Sequence, residues 1–303
     1  MKGCTLLVIL LFGILQINAQ YQIGLVPRSS PDKAVYQKVG YTGIEIKYGS
    51  PAVNERQIWG SLVPYNKVWR AGANNATTIE FSTPVAINST TLDSGRYALF
   101  IIPKDNNRWT VIFNKTSEQW GAFRYDSKED AVRLEVSPRR RAFPCENLTY
   151  SIEQLGFQYG SIKLCWEYLE LEIPFETNYL ESFAKEVESR AHIQPEYIKW
   201  IVFIQGAEHL EQINMNAGLA AKWIDKAESL MNSTSEWNAQ FYPREYVVGH
   251  LYWTKAKILA GNQMYSEAVN YIEKMKSLEN LIYYERKKDT ENIDLLLEEW
   301  NAK

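Results

Sequence analysis

Two kinds of hydrophobic spacing divide this chain, and the change between them falls near Pro174. Before it, short runs alternate apolar with polar residues. In Gly43-Ile44-Glu45-Ile46-Lys47-Tyr48, the residues Ile44, Ile46 and Tyr48 share one face of a strand, because successive strand side chains point to opposite sides. Residues 77–81 and 85–88 read the same way. Residues 97–102 and 109–113 form the clearest predicted hairpin, joined through the turn-forming Lys104-Asp105-Asn106-Asn107. Residues 131–136, 148–154 and 161–172 add further strands. With no long helix between them, about eight such strands predict a two-layer antiparallel sandwich rather than a parallel α/β sheet.

After Pro174 the spacing becomes helical. Leu180, Phe183, Ala184 and Val187 recur at three and four residues, which predicts a helix that stops at the turn before Pro195. Pro195 suits the first turn of a second helix running to about His209. A repeat follows: Ala220-Ala221-Lys222-Trp223-Ile224-Asp225-Lys226-Ala227 aligns without a gap on Ala268-Val269-Asn270-Tyr271-Ile272-Glu273-Lys274-Met275, an offset of 48 residues. Matching small residues let paired helices approach closely, a pattern that resembles the second helix of a tetratricopeptide-type unit. Residues 252–261 would supply the first helix of the later unit, and residues 292–300 a capping half-unit. The offset exceeds the usual spacing of about 34 residues, so an elaborated pair is expected rather than a regular array, with a plain helical bundle as the alternative. The expected fold class is therefore α+β multidomain: an N-terminal antiparallel β-sandwich-like domain over 27–174 and a C-terminal α-helical repeat, tetratricopeptide-like, over 178–303.

The N-terminus reads as an export signal over residues 1–19, with Lys2 as the positive start, an apolar run from Thr5 to Leu15, and Ala19 at a cleavable end. That run is too short for the roughly 20 residues of a membrane-spanning helix, and no later segment is long and apolar enough. The expected location is periplasmic or secreted. Beyond the signal, two cysteines remain, Cys145 and Cys165. In an oxidising compartment they could pair and close a loop of about 20 residues; a buried free thiol at Cys165 is the alternative.

Composition narrows the partners. The hydrophobic share is 46% and the net charge is -3, which argues against nucleic acid or an anionic membrane surface as a partner. Arg139-Arg140-Arg141 is a dense basic run and reads as a solvated loop between Pro138 and Pro144. No zinc-ligand spacing and no glycine-rich phosphate loop occurs, so no cofactor is expected.

One stretch carries a family resemblance. Tyr48-Gly49-Ser50-Pro51 is followed by Ile58-Trp59-Gly60-Ser61-Leu62-Val63-Pro64-Tyr65-Asn66-Lys67-Val68-Trp69-Arg70-Ala71-Gly72, then by Gly95-Arg96-Tyr97-Ala98-Leu99-Phe100, Trp109-Thr110-Val111-Ile112-Phe113-Asn114 and Trp120-Gly121-Ala122-Phe123. Together these resemble the signature of the exported bacterial family catalogued as domain of unknown function 2911, over roughly residues 30–172. The resemblance implies an exported protein and brings no reaction with it. At Asn88-Ser89 relatives tend toward Asn-Gly, so that turn is expected to be less tight here.

Function must therefore be read from side chains. Residues 59–80 concentrate Trp59, Tyr65, Trp69, Arg70, Asn74 and Glu80, mixing flat apolar faces with donors and acceptors as sugar or peptide recognition requires. Arg70 can grip a carboxylate or sulfate in bidentate fashion, or brace the fold by pairing with Glu80. The Asn74 amide can face a ligand or turn back to the chain. Tyr97 and Trp120 would line the same cleft if the hairpin folds over it.

No catalytic constellation is visible. His192, His209 and His250 all lie in the helical half, without a serine or cysteine nucleophile beside them. Glu45 and Glu80 are a carboxylate pair that a glycosidase could use, if the fold brings them together. The expected function is an exported binding or scaffolding protein, with a glycan or peptide ligand on the β domain and a protein partner on the helical repeats; the alternative is a hydrolase acting on glycan or peptide.

Overall fold

The computed structural model describes residues 27–105, 108–234, 244–278 and 293–303. The signal over 1–19 and the middle of the 104–107 turn lie outside the described residues. The chain divides into two compact units, Met1–Leu180 and Glu181–Lys303.

The first unit holds ten strands among the described residues: β1 (Asp32–Val39), β2 (Thr42–Gly49), β3 (Ala73–Phe81), β4 (Val85–Ile87), β5 (Thr90–Leu92), β6 (Gly95–Ile102), β7 (Trp109–Asn114), β8 (Asp130–Val136), β9 (Arg139–Gln154) and β10 (Tyr159–Thr177). They form a six-stranded sheet in the order β1-β2-β3-β6-β7-β8 and a four-stranded sheet in the order β5-β4-β10-β9. Every pairing is antiparallel.

The alternation read from the sequence sets the inner face. Ile44, Ile46 and Tyr48 of β2, Ile79 and Phe81 of β3, and Tyr97, Leu99 and Ile101 of β6 join Leu148, Tyr150 and Ile152 of β9 in one buried cluster between the sheets. The outer face of the six-stranded sheet carries a smaller apolar cluster of Ala76, Ala98, Phe100 and Ile112. That second cluster is why β6 and β7 read as nearly continuous apolar runs: both of their faces are covered.

β10 changes parity midway. Ile162, Leu164 and Trp166 point inward, then Leu171, Ile173 and Phe175 do. The switch happens at a bulge where Glu167 takes a left-handed backbone, φ 54, and one extra residue is enough to reverse the buried face. β9 is interrupted at the same level: Cys165 opposes Thr149, but Glu167 opposes Cys145. The residues between them pair elsewhere, Val53 N donating to Glu146 O at 2.8 Å and Leu148 N to Pro51 O at 2.9 Å. A disulfide joins Cys145 to Cys165 across this gap, with 6.1 Å between the Cα atoms.

Two expectations need correction, and β1 is a strand beyond those expected. The basic run Arg139-Arg140-Arg141 is not a loop but the start of β9; Arg139 pairs with Glu172, Arg141 with Glu170, and Arg140 lies over the Tyr168 ring. β9 is an edge strand, which tolerates the flanking prolines. The Asn88-Ser89 turn is tight despite lacking glycine, since both residues take positive φ, 50 and 63, between the paired Ile87 and Thr90. β1, mostly exposed, has too few buried positions to be recognised from its pattern.

The second unit is helical. α1 (Tyr179–Ile193) begins at the boundary, and α2 (Glu196–Gln212) starts directly after Pro195. α3 (Ala217–Ser233), α4 (Arg244–Gly261), α5 (Tyr265–Lys276) and α6 (Ile293–Asn301) follow. The two repeat copies fall on α3 and α5, where Ala220, Ile224 and Ala227 occupy the same buried positions as Ala268, Ile272 and Met275 in the later copy, while the buried Trp223 corresponds to the half-buried Tyr271. α2 packs on α3, and α4 on α5. His209 packs edge-on against Phe183 at 4.9 Å, and His250 bonds Glu208 at 3.2 Å.

Candidate functional site

The interruption between β9 and β10 leaves space in the β unit, and aromatic rings fill most of it. Trp69 stacks on Trp166, with ring centroids 5.9 Å apart and 19° between planes. Trp59 meets both at 5.6 and 5.8 Å and leans on Trp109 at 4.7 Å. Beside the Trp69–Trp166 stack lies a pocket of about 240 Å³, lined also by Arg70, Arg56, Ser29, Ser30 and Asn54.

Arg70 is the unusual group there. Its Nε is buried and has no hydrogen-bond partner among the described residues. Burial pulls its guanidinium below the usual arginine range, and nothing beside it acts to raise it. The Nε1 atoms of Trp59 and Trp166 are likewise buried without a partner. No carboxylate lines the pocket. Of these residues Arg70 and Trp166 line the pocket, and two partnerless donors beside a space that holds no carboxylate need an explanation, because buried polar groups are almost always paired.

The turn that carries Arg70 is held from across the sandwich. Ala71 adopts φ 52. Its carbonyl accepts from the Tyr150 hydroxyl at 2.8 Å and from Thr77 Oγ1 at 2.9 Å. Trp69 Nε1 donates to Gly72 O at 3.2 Å. A Cβ at Gly72 would stand 2.7 Å from Thr77 Oγ1, so the turn closes only with glycine there. Burial raises the Tyr150 hydroxyl well above its ordinary value, which keeps it a donor at neutral pH.

The remaining candidates do not gather in this pocket. Tyr65 is half-exposed and packs against Gly60, whose φ of 82 leaves no room for a side chain. Asn74 turns back to the chain, its Nδ2 donating to Ser30 O at 2.9 Å. Tyr97 faces the core and donates to Asp93 O at 2.9 Å. Trp120 stands on the opposite side of the strand pair, at a larger groove of about 870 Å³. Glu80 does not brace Arg70: it opposes Arg96 on β6 and pairs with it at 2.7 Å. The single cleft expected over residues 59–80 is therefore two depressions, with Tyr65, Asn74, Glu80 and Tyr97 engaged within the fold, because alternate residues of a strand face opposite sides of the sheet.

Glu45 and Glu80 do come together, as register partners on β2 and β3. Each is tied to its own cation, Glu45 to Lys47 at 2.7 Å and Glu80 to Arg96. Among the described residues no cluster of histidine, cysteine, aspartate or glutamate could hold a metal, and no helix is long and apolar enough to cross a membrane.

Tyr150, Trp166 and Arg56 escaped the sequence reading. The parity break around Trp166 was the available signal; Tyr150 lies 79 residues from the carbonyl it holds and left none. Comparison with curated proteins and with solved structures found no match. Residues 30–175, from before β1 to near the end of β10, match the family described as "Protein of unknown function (DUF2911)". The β unit is therefore a domain of the DUF2911 family, whose description assigns no activity.

Proposed function

We propose that the β unit is a ligand-binding module whose Arg70 pocket takes an anionic group, a carboxylate or a sulfate, carried on a sugar or peptide. The observation that carries this reading is the buried Arg70 Nε without a partner, in a pocket that Trp166 also lines and no carboxylate enters. Leaving a charge desolvated without a counter-charge costs stability, whereas an incoming oxyanion would give the Arg70 guanidinium an acceptor. The pocket volume of about 240 Å³ suits one charged group rather than a whole polymer.

The chain also reads as exported. The apolar run ending at Ala19 supports this, as does the disulfide, which belongs in an oxidising compartment. In the helical unit, the matching helices α3 and α5 support a tetratricopeptide-like pair, a surface type that usually holds a polypeptide partner. A hydrolase has less support: its one carboxylate pair, Glu45 and Glu80, is neutralised in place by Lys47 and Arg96.

The test is a thermal-shift series on the full chain with acetate, sulfate, glucuronate and neutral glucose, repeated on Arg70→Met. The anions raise the melting temperature, by the equivalent of about 2.7 kcal/mol at a hundredfold excess over the dissociation constant, and glucose does not. In Arg70→Met the anion effect is lost, while the variant itself melts no lower than the parent, since an unpaired charge has been exchanged for an apolar chain of similar length. An equal anion shift in both proteins would refute the pocket.

A further inference from the structure

The Arg70 pocket has a neighbour, and a strap of residues 28–31 separates the two. Ser29 and Ser30 line the Arg70 pocket, while Arg28 lines the groove of about 870 Å³. The strap is pinned where it crosses, by Ser50 N donating to Pro31 O at 2.9 Å and by Asn74 Nδ2 on Ser30 O at 2.9 Å. Gly49, on the groove side, is the register partner of Ala73, which lines the Arg70 pocket. The depressions thus meet across one strand pair. A Cβ at Gly49 would run into the Ala73 carbonyl, so only glycine fits at that boundary.

The groove floor is the outer face of the six-stranded sheet, kept low by the small side chains Ala34, Ala76 and Thr78. Five cations and two carboxylates line it, and with Glu45 and Glu80, which neutralise Lys47 and Arg96, counted in, the excess is one positive charge. Lys47 and Arg96 also hold Glu45 and Glu80, and Arg28 lies 3.4 Å from Asp32. The Arg124 side chain has no partner among the described residues, although its backbone N–H is bonded.

Two large rings stand in water above this floor, Trp120 at 55% exposed and Phe123 at 87%. They are not on a loose loop. Ala76 N donates to Gln119 O at 3.0 Å and Gly121 N to Asn74 O at 3.1 Å, which extends β3 by a bridge to Trp120. The buried Gln119 carboxamide donates to Thr116 O at 2.8 Å and accepts from Arg124 N at 3.2 Å. The Arg28 guanidinium lies over the Trp120 ring at 5.6 Å. Exposed aromatics held this firmly form a preorganised surface rather than a packing residue.

We propose that the groove and the Arg70 pocket together bind an acidic oligosaccharide, with one anionic group against Arg70 and the following sugar rings over the Trp120 and Phe123 faces. This rests on the Arg70 reading and extends it to a ligand class. The apolar face of a pyranose matches a flat ring, and carboxylate or sulfate substituents match guanidinium donors. Strand addition by an extended peptide would use the free edge of β1, whereas Trp120 is bridged to β3, two strands in from that edge, and stands over the sheet face.

The test is calorimetric titration of the full chain with glucuronate, with oligogalacturonates of two to six units, and with a sulfated hexasaccharide, alongside hexaglutamate and a thymidine hexanucleotide. Affinity rises at least tenfold from monomer to tetramer in the parent chain. Trp120→Ala and Phe123→Ala each cut the tetramer affinity back toward that of the monomer, and Arg70→Met abolishes monomer binding. The carboxylated and sulfated arms tell which anion is preferred. No gain with length, the same gain in Trp120→Ala, or equal binding of hexaglutamate or the oligonucleotide would overturn the proposal. Length-dependent binding that needs Trp120 but ignores Arg70→Met would remove the Arg70 anchor and leave the groove; monomer binding that needs Arg70 without any length gain would do the reverse.

Discussion

Arg70 owes its position to a carbonyl that two hydroxyls hold. The left-handed Ala71 places its oxygen toward the core, where Tyr150 and Thr77 both donate to it. Tyr150→Phe removes one of these bonds, a net cost of about 1 kcal/mol. It also lets the turn relax, so anion affinity at Arg70 falls several-fold. Urea unfolding and an anion titration on the same variant check both; an unchanged affinity would mean that Thr77 and Trp69 alone fix the turn. At this scale the sequence was half legible. A tryptophan and an arginine just before a glycine, Trp69-Arg70-Ala71-Gly72, announce a turn with recognition chemistry, so Trp69 and Arg70 stood out. Arg70's freedom did not, because it depends on Glu80 being claimed by Arg96, and that follows from strand register rather than proximity in the chain.

At the level of elements, the site exists because β9 and β10 part company. Their pairing breaks at the Glu167 bulge, β9 turns to residues 51–53, and the Trp69–Trp166 stack occupies the opening. The disulfide spans this break with 20 residues of separation. Replacing Cys145 and Cys165 together by serine is expected to cost about 3 kcal/mol from loop entropy. It is also expected to weaken anion binding more than substitutions elsewhere in the sandwich, read as a lower urea midpoint and a smaller anion shift. A double variant with full stability would show that the strands hold the gap without it. Strand positions with one buried face, such as Ile44, Ile46 and Tyr48, were readable from alternation alone. β1 was not, since an edge strand that buries little carries no pattern, and Arg139-Arg140-Arg141 misled because a charged edge looks like a loop. The parity break from Trp166 to Leu171 was in plain view and is the one local sign that a bulge, and with it a cavity, lay there.

For the molecule as a whole, the change of period near Pro174 separated strands from helices, and the compact units divide a few residues later, after Leu180. Alternation and helical spacing are local, so fold class was readable. The two depressions are assembled from residues 28 to 166, and no local rule brings those together. What the β unit presents is a small basic pocket and a wide cationic, aromatic groove on a chain that is acidic overall. The central claim is that the Arg70 pocket is an anion site. The most direct measurement is anomalous diffraction from crystals of the full chain soaked in selenate. The account predicts a selenium peak within hydrogen-bond reach of the Arg70 guanidinium, absent from Arg70→Met crystals. An ordered water there instead, or a carboxylate of the chain itself bonded to Arg70, would contradict it.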